Sequence, residues 1–259
     1  VDIREAAAQY YDFQDIGVND IPFYRARIPS AQARILELGC GTGRVLLPLA
    51  QECGFIYGID ASQAMLALCR EKLNRAGLPP DRAQICQGDI SDFDLGARFD
   101  LIIAPFRVLQ NLETDRQVSG LMDGIARHLA SGGRAILNTF LPNRSPEEMQ
   151  RTWCNPDERV DGETVFPNGD RLVQLDRRPR LQPHPLVVYP ELIYRRYAAG
   201  TDTLLDEAIL KIAMRCWYPA ELETLVRDSG FRTTNRWGGY GGESWGEGPE
   251  LVIEFAADE

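Results

Sequence analysis

The chain has 259 residues, 44% of them hydrophobic and 25% charged, with a formal net charge of −10. That length holds one large α/β domain with room for an inserted subdomain, and the composition is ordinary for a globular protein. The negative charge repels a polyanion over most of the surface, which argues against DNA or RNA as a partner. The six cysteines (Cys40, Cys53, Cys69, Cys86, Cys154, Cys216) lie far apart, form no C-x-x-C pair and are accompanied by only two histidines. A zinc site is therefore not expected, and reduced thiols of a cytoplasmic protein are. The start of the sequence has Asp2 and Glu5 but no apolar run of the signal-peptide kind, and no stretch is long enough to span a bilayer.

Asp2-Ile3-Arg4-Glu5 has the form of a capping box, predicting a helix through Ala6–Ala8 to Tyr10 and Tyr11. Asp12 to Pro29 follows, with Phe13, Phe23, Tyr24 and Arg25 among turn residues. Ile35, Leu36 and Leu38 predict a short strand covered on both faces. Gly39, Gly41 and Gly43 then allow a tight turn and a close ligand approach, and a helix is expected from Arg44 to about Gln51. The spacing is G-x-G-x-G, with Glu37 two positions before the first glycine. It differs from the dinucleotide fingerprint G-x-G-x-x-G, which disfavours an NAD or nucleotide-sugar enzyme.

Phe55–Asp60 predicts a second strand ending in a carboxylate. Asp60 lies about twenty residues past the first glycine, where doubly wound folds place an acid for ribose hydroxyls, and that role is favoured over a charge at the start of the helix that Ser62 begins. That helix carries Met65, Leu66, Leu68, Cys69 and Leu73 on one side and stops at Gly77. Ala83–Gln87 predicts a third strand leading into Gly88-Asp89-Ile90. Phe99–Ala104 predicts a fourth, running into Pro105-Phe106-Arg107 and Gln110-Asn111. Thr114-Asp115-Arg116-Gln117 caps a helix with Val118, Leu121, Met122, Ile125 and Leu129 at helical spacing. Ser131-Gly132-Gly133 turns into a fifth strand, Arg134 to Phe140. His128, in the last turn of that helix, reads as a structural cation against the helix dipole.

From about Leu141 to Cys216 the order is interrupted. A Pro- and Asn-punctuated segment precedes Arg171–Arg177, which alternates like a half-exposed strand, and Leu186–Tyr197 and Thr203–Arg215 predict two more. Arg177, Arg178, Arg195 and Arg196 lie on solvated strand faces or meet an acidic substrate, and His184 sits in a loop. Pro219 opens a final helix that ends at Ser229-Gly230. Two last strands, about Phe231–Trp237 and Glu250–Phe255, flank a glycine-rich loop that Tyr240 and Trp245 could anchor.

Glu37-Leu38-Gly39-Cys40-Gly41-Thr42-Gly43-Arg44 closely resembles the first motif of class I S-adenosylmethionine (SAM)-dependent methyltransferases. Gly88-Asp89-Ile90 and the His128-Leu129…Gly132-Gly133-Arg134…Leu137 string resemble later motifs of the same family. Tyr10-Tyr11-Asp12 and Phe23-Tyr24-Arg25 look like its N-terminal cap, or are aromatic packing of the first helix. The resemblance implies an α/β fold: a seven-stranded, mostly parallel sheet flanked by helices, strand seven antiparallel, with a small antiparallel β insertion after strand five. It implies a helical cap at 1–30, a SAM-binding core at 31–140 and 217–259, and an inserted lid at 141–216.

The cofactor so implied is SAM, with S-adenosylhomocysteine as product. The residues implied to hold it are Tyr11, Tyr24, Glu37, Gly39, Cys40, Gly41, Gly43, Arg44, Asp60, Ala61, Met65, Gly88, Asp89, Ile90, Ala104 and Phe106. Tyr11 and Phe106 are the candidates for positioning the reaction, Phe106 being either pocket lining or a core aromatic, and no metal is implied. Methyl transfer is an in-line displacement, so the protein's task is alignment and exclusion of water. A hydroxyl acceptor needs a base. With only His128 and His184 available, a small-molecule amine is the expected acceptor. O-methylation and SAM binding without catalysis are the alternatives, and a homodimer could form through edge strands of the insert.

Overall fold

The structure is a computed structural model that describes residue 5, residues 7–13 and residues 19–258. Residues 2–4 of the expected capping box lie outside the described residues. In chain order the elements are α1 (Ala8–Tyr11), α2 (Ile21–Arg25), β1 (Arg34–Leu38), α3 (Leu46–Ala50), β2 (Phe55–Asp60), α4 (Gln63–Arg75), β3 (Ala83–Gln87) and β4 (Phe99–Ala104). A single 3-10 turn, Val108–Asn111, leads to α5 (Asp115–His128) and β5 (Leu129–Phe140). Then come α6 (Pro146–Thr152), β6 (Asn155–Val165), β7 (Arg171–Gln182), β8 (Val187–Tyr197), β9 (Leu204–Lys211), β10 (Met214–Arg215), α7 (Pro219–Asp228), β11 (Phe231–Trp237) and β12 (Glu250–Ala257).

The chain divides into two compact units. One comprises Gly17–Asn143 with Arg215–Glu259, the other Arg144–Met214 with Val1–Ile16, each through its described residues. The stretch 1–30, expected as one cap, is thus shared: α1 goes with the second unit and α2 with the first.

The first unit is built on a seven-stranded sheet in the order β11-β12-β5-β4-β1-β2-β3. Pairs from β3 across to β5 are parallel, and β12 runs antiparallel to both β5 and β11. β1 lies between β2 and β4, so every residue after Arg34 is buried. Alternation then sends Leu36, Leu38, Ile102 and Ala104 into one apolar cluster, and Ile35, Leu101 and Ile103 into another on the opposite face. The first contains the apolar stripe of α5 and the second that of α4. Thr114 caps α5 in a full capping box, and Ser62 caps α4 through the Met65 N–H. The helix after the glycine turn is shorter than the pattern suggested. It begins at Leu46, because Gly41 and Gly43 keep the backbone left-handed, at φ 52° and 84°.

In the second unit β6–β7, β7–β8 and β8–β9 pair antiparallel. Three of its elements differ from expectation. The Pro- and Asn-punctuated segment is α6, capped by a Ser145–Glu148 box, followed by the long edge strand β6. The final expected strand is split into β9 and the two-residue β10. Tyr10 packs here: its hydroxyl donates to Asp206 and its ring stacks on Tyr194 at 5.8 Å.

Candidate active site

The site in the first unit starts from the backbone of the glycine turn. Four of its amides, those of Gly39, Cys40, Gly41 and Gly43, are engaged within the protein. The N–H groups of Gly39 and Cys40 both donate to the Ile59 carbonyl (2.8 and 2.9 Å), and that of Gly43 donates to Cys40 (2.9 Å). The Gly41 N–H donates to Asp60 Oδ2 at 2.8 Å. A dinucleotide loop turns such amides outward to a pyrophosphate; this one turns them inward.

The three glycines serve different ends. A Cβ on Gly39 would stand 2.5 Å from a Val108 methyl, and one on Gly43 would stand 2.3 Å from Leu47 and 2.7 Å from the Cys69 sulfur. Those two admit protein side chains, not a ligand. A Cβ on Gly41 meets nothing within 4 Å, so only the middle glycine faces open space.

Carboxylates gather around this turn. Glu37 is 2% exposed, and its Oε2 has no hydrogen-bond partner. Burial, then the neighbouring Cys69, pushes its carboxyl well above the usual range; Arg44 opposes this and Asp20 and Asp60 add to it. Asp60 is also buried, and each of its oxygens accepts one backbone N–H, from Gly41 and from Ser62 (2.9 Å). It braces the turn and keeps one further lone pair on each oxygen. Asp20, missed from the sequence, is fully buried and takes both arms of Arg44 at 2.5 and 2.8 Å. Only its place before Ile21-Pro22 at a helix start could have signalled it. Three acids and one arginine thus meet at the turn.

The other predicted residues are placed as follows. Tyr24 is completely buried, with its hydroxyl 3.5 Å from that of Tyr240; burial raises both phenols. Tyr240 was expected only to anchor its loop, yet its ring lies against Phe23 and Tyr24. The Cys40 thiol packs behind the turn, against Gly58 and Cys69, so that only its backbone is available in front. The Arg44 guanidinium lies 5.4 Å from the Phe106 ring. Met65 is buried, Ala61 is exposed, and the Gly88 N–H holds Asp60 by its carbonyl. Asp89 is exposed and uses Oδ1 for the Ser91 N–H and hydroxyl; Ile90 packs on the core beside it. Ala104 is buried at the end of β4. Tyr11 lies in the other unit.

Beyond Ala104 the backbone is strained. Phe106 and Arg107 have φ of 53° and 66°, and neither is glycine. Each such residue costs about 1–3 kcal/mol. The Arg107 N–H donates to Asn138 Oδ1 (2.8 Å), and its guanidinium pairs with the buried Glu250.

His128 is engaged at both ring nitrogens away from the glycine turn. His128 sits at the 3.5 Å limit from Asp94, stacks on Phe93 and accepts the Leu95 N–H at Nε2 (2.8 Å), with Nδ1 on the Gly124 carbonyl. An accepting Nε2 makes the ring neutral, so the expected helix-end cation is replaced by a neutral bridge. His184 is exposed in the β7–β8 loop. The four arginines singled out in the second unit are paired: Arg177 with Glu191, Arg178 with Asp176, Arg195 with Glu158 and Glu207, and Arg196 with Asp170. Among the described residues no group of three or more His, Cys, Asp or Glu could hold a metal ion, and no helix is long and apolar enough to cross a membrane.

A parallel sheet in this order with an antiparallel β12, and a glycine turn at the end of its central strand, define the class I, Rossmann-like methyltransferase fold. Residues 35–133 match the family described as methyltransferase domain. It is 31% identical over 163 residues to a dTDP-3-amino-3,4,6-trideoxy-alpha-D-glucopyranose N,N-dimethyltransferase of Streptomyces venezuelae, covering 62% of this chain and 61% of that protein. The chain therefore spans less than two thirds of that relative's length. It is 26% identical over 246 residues to the cypemycin N-terminal methyltransferase of a Streptomyces species, covering 93% and 91%. Its fold is similar to the SAM-bound amino pentose methyltransferase CalS10 from Micromonospora echinaspora, with TM-score 0.69, 23% identity and coverage of 97% and 96%.

The residues present fit SAM. Open space above Gly41 and a buried, unpartnered Glu37 oxygen that a cation can pair with suit a ligand with a sulfonium and an ammonium.

Proposed function

We propose that this protein transfers a methyl group from SAM to an amine of a small molecule. One observation carries the reading: the glycine turn uses its amides internally and presents acids instead, with a Glu37 oxygen buried and unpartnered. Such a crevice selects a cationic nucleoside over a pyrophosphate. Bound SAM supplies a methyl group activated by the positive charge on its sulfur.

The chain's own residues do the rest. Glu37 faces the cationic amino-acid end, the remaining lone pairs of Asp60 take sugar hydroxyls, and Asp89 with the Ile90 N–H reads the base. Ala61, Met65 and Gly88 border the nucleoside, and Tyr24 closes the wall behind Glu37. Phe106 lines the side facing the acceptor and excludes water there. The amine assignment is supported by His128, both of whose ring nitrogens are engaged elsewhere, and by the two relatives named above, an N,N-dimethyltransferase and an N-terminal methyltransferase. An amine attacks as the neutral base and needs no partner to remove a hydroxyl proton.

The net charge of −10 supports an acceptor other than nucleic acid, and free thiols at all six cysteines suit the cytoplasm. The exposed edge strand β6 supports pairing with a second copy of the chain.

The test is incubation with methyl-labelled SAM and three acceptors: a dTDP-3-amino sugar, a short peptide with a free N-terminus, and the 3-hydroxy counterpart of the sugar. Mass spectrometry should show methyl groups added to an amino compound and not to the hydroxyl one. Methylation of the hydroxyl compound alone, or of none while SAM is bound, would overturn the amine reading.

A further inference from the structure

The strongest unexplained feature lies just past the end of β4. Two successive side-chain-bearing residues, Phe106 and Arg107, hold left-handed backbone at φ 53° and 66°. Glycine would adopt this turn without strain, and the chain uses glycine in that way elsewhere, at Gly39 and Gly43. Here it does not.

Two residues from two separate strands hold the turn through Arg107. The Arg107 N–H donates to Asn138 Oδ1 on β5 at 2.8 Å. The Arg107 guanidinium donates to Glu250, the first residue of β12, through Nε at 3.3 Å and through Nη2. Asn138 Nδ2 closes the ring by donating to Glu250 Oε2 at 2.9 Å. Asn138 is 1% exposed and Glu250 4%. A buried carboxylate is costly to desolvate, and apolar packing would hold two strands together as well. The ring's specific product is the backbone conformation at 106 and 107.

That conformation reaches the glycine turn. Val108 fills the space left by the missing side chain of Gly39, so the two turns pack directly together. The guanidinium groups of Arg44 and Arg107 lie 5.4 and 5.8 Å from the Phe106 ring.

We propose that Asn138 and Glu250 are positioning residues: acting through Arg107, they hold the left-handed Phe106–Arg107 turn and thereby fix the wall of the crevice on the side of the transferred group. This rests on the methyltransferase reading. Neither residue contacts the ligand in this account. Each acts by fixing a strained turn that would otherwise relax and carry Phe106 away.

Two probes separate this from a merely structural role. S-adenosylhomocysteine and sinefungin share the nucleoside and the amino-acid end. They differ at the sulfur, where sinefungin carries an amine in place of the methyl-bearing centre. Calorimetric titration of the full chain with each gives an affinity ratio that reads the methyl side alone. In Asn138→Ala and Glu250→Ala, sinefungin should weaken roughly tenfold or more relative to S-adenosylhomocysteine, as expected for a displaced wall. Glu250→Gln keeps one acceptor oxygen, for Arg107 Nε and Asn138 Nδ2, loses the acceptor for Arg107 Nη2, and should lower the ratio less than Glu250→Ala.

If the alanine variants do not fold, Arg107 provides the test. Arg107→Gly loses the guanidinium but adopts left-handed backbone unaided, whereas Arg107→Ala loses it and resists. The ratio should survive in the glycine variant and fall in the alanine one. An unchanged ratio in all variants, or equal weakening of both probes, overturns the inference while leaving the cofactor reading intact. A wild-type chain that binds neither probe overturns the cofactor reading itself, and this inference with it.

Discussion

Arg44 and Asp20 form a two-point ion pair, at 2.5 and 2.8 Å, in which the two partners are buried very unequally. The Asp20 side chain is 0% exposed and that of Arg44 24%. Removing either partner strands the other, so the consequences are unequal too. Arg44→Ala leaves a carboxylate buried without its counter-charge and should cost about 3–5 kcal/mol. Asp20→Asn leaves an arginine that can reach solvent and should cost less than half of that. Urea unfolding of the two variants checks the order; equal losses would show that Asp20 is not sealed from water.

Glu37 predicts a pH dependence. Its folded-state carboxyl is raised by burial, so the neutral form is the one the empty fold prefers. At about pH 4 the unfolded chain is also largely protonated and Glu37 costs little. As pH rises the unfolded carboxyl ionises first, and stability is lost until the folded group ionises as well. Glu37→Gln should therefore raise the melting temperature of the ligand-free protein at about pH 8, with the gain shrinking toward about pH 4. The same change should weaken SAM. Melting curves across pH, with and without SAM, check both signs.

The glycines of the turn should separate stability from binding. At Gly41 an alanine finds room, so Gly41→Ala pays only for left-handed backbone, about 1 kcal/mol. It places a methyl in the open space and should abolish S-adenosylhomocysteine binding. Gly39→Ala must displace Val108 and should lower the melting temperature more than Gly41→Ala does. Reversal of that order would mean that the open side of the turn is not the ligand side.

His128 is expected to matter for folding only. Its ring bridges Leu95 and Gly124, so His128→Ala leaves a buried N–H unsatisfied, at about 1–3 kcal/mol. Turnover per folded molecule should be unchanged. Stopped product formation in a folded His128→Ala sample would return the histidine to the chemistry.

The core strands could be read from sequence because each is an apolar run bounded by a turn residue, and β2, β3 and β4 fall where the pattern put them. β6 could not. Its eleven residues, Asn155–Val165, are exposed on both faces apart from two half-buried positions, so no period-two alternation marks them. The site divides in the same way. Glu37, Gly41 and Asp60 are contiguous with the strand ends that carry them, and local pattern suffices. Asn138 and Glu250 meet across 112 positions of chain, and each alone reads as an ordinary polar strand residue. Asp60 shows a subtler limit: its position was readable, but its use as the brace of Gly41 depends on a backbone amide that no side-chain pattern reveals.

The central claim is that an acid-lined glycine turn selects a cationic nucleoside, and calorimetry of the full chain tests it most directly. Titrated in parallel at neutral pH, SAM and S-adenosylhomocysteine should both bind at one site, both should weaken in Gly41→Ala, and NAD should give no heat. Binding of NAD, or silence with SAM, would contradict the account.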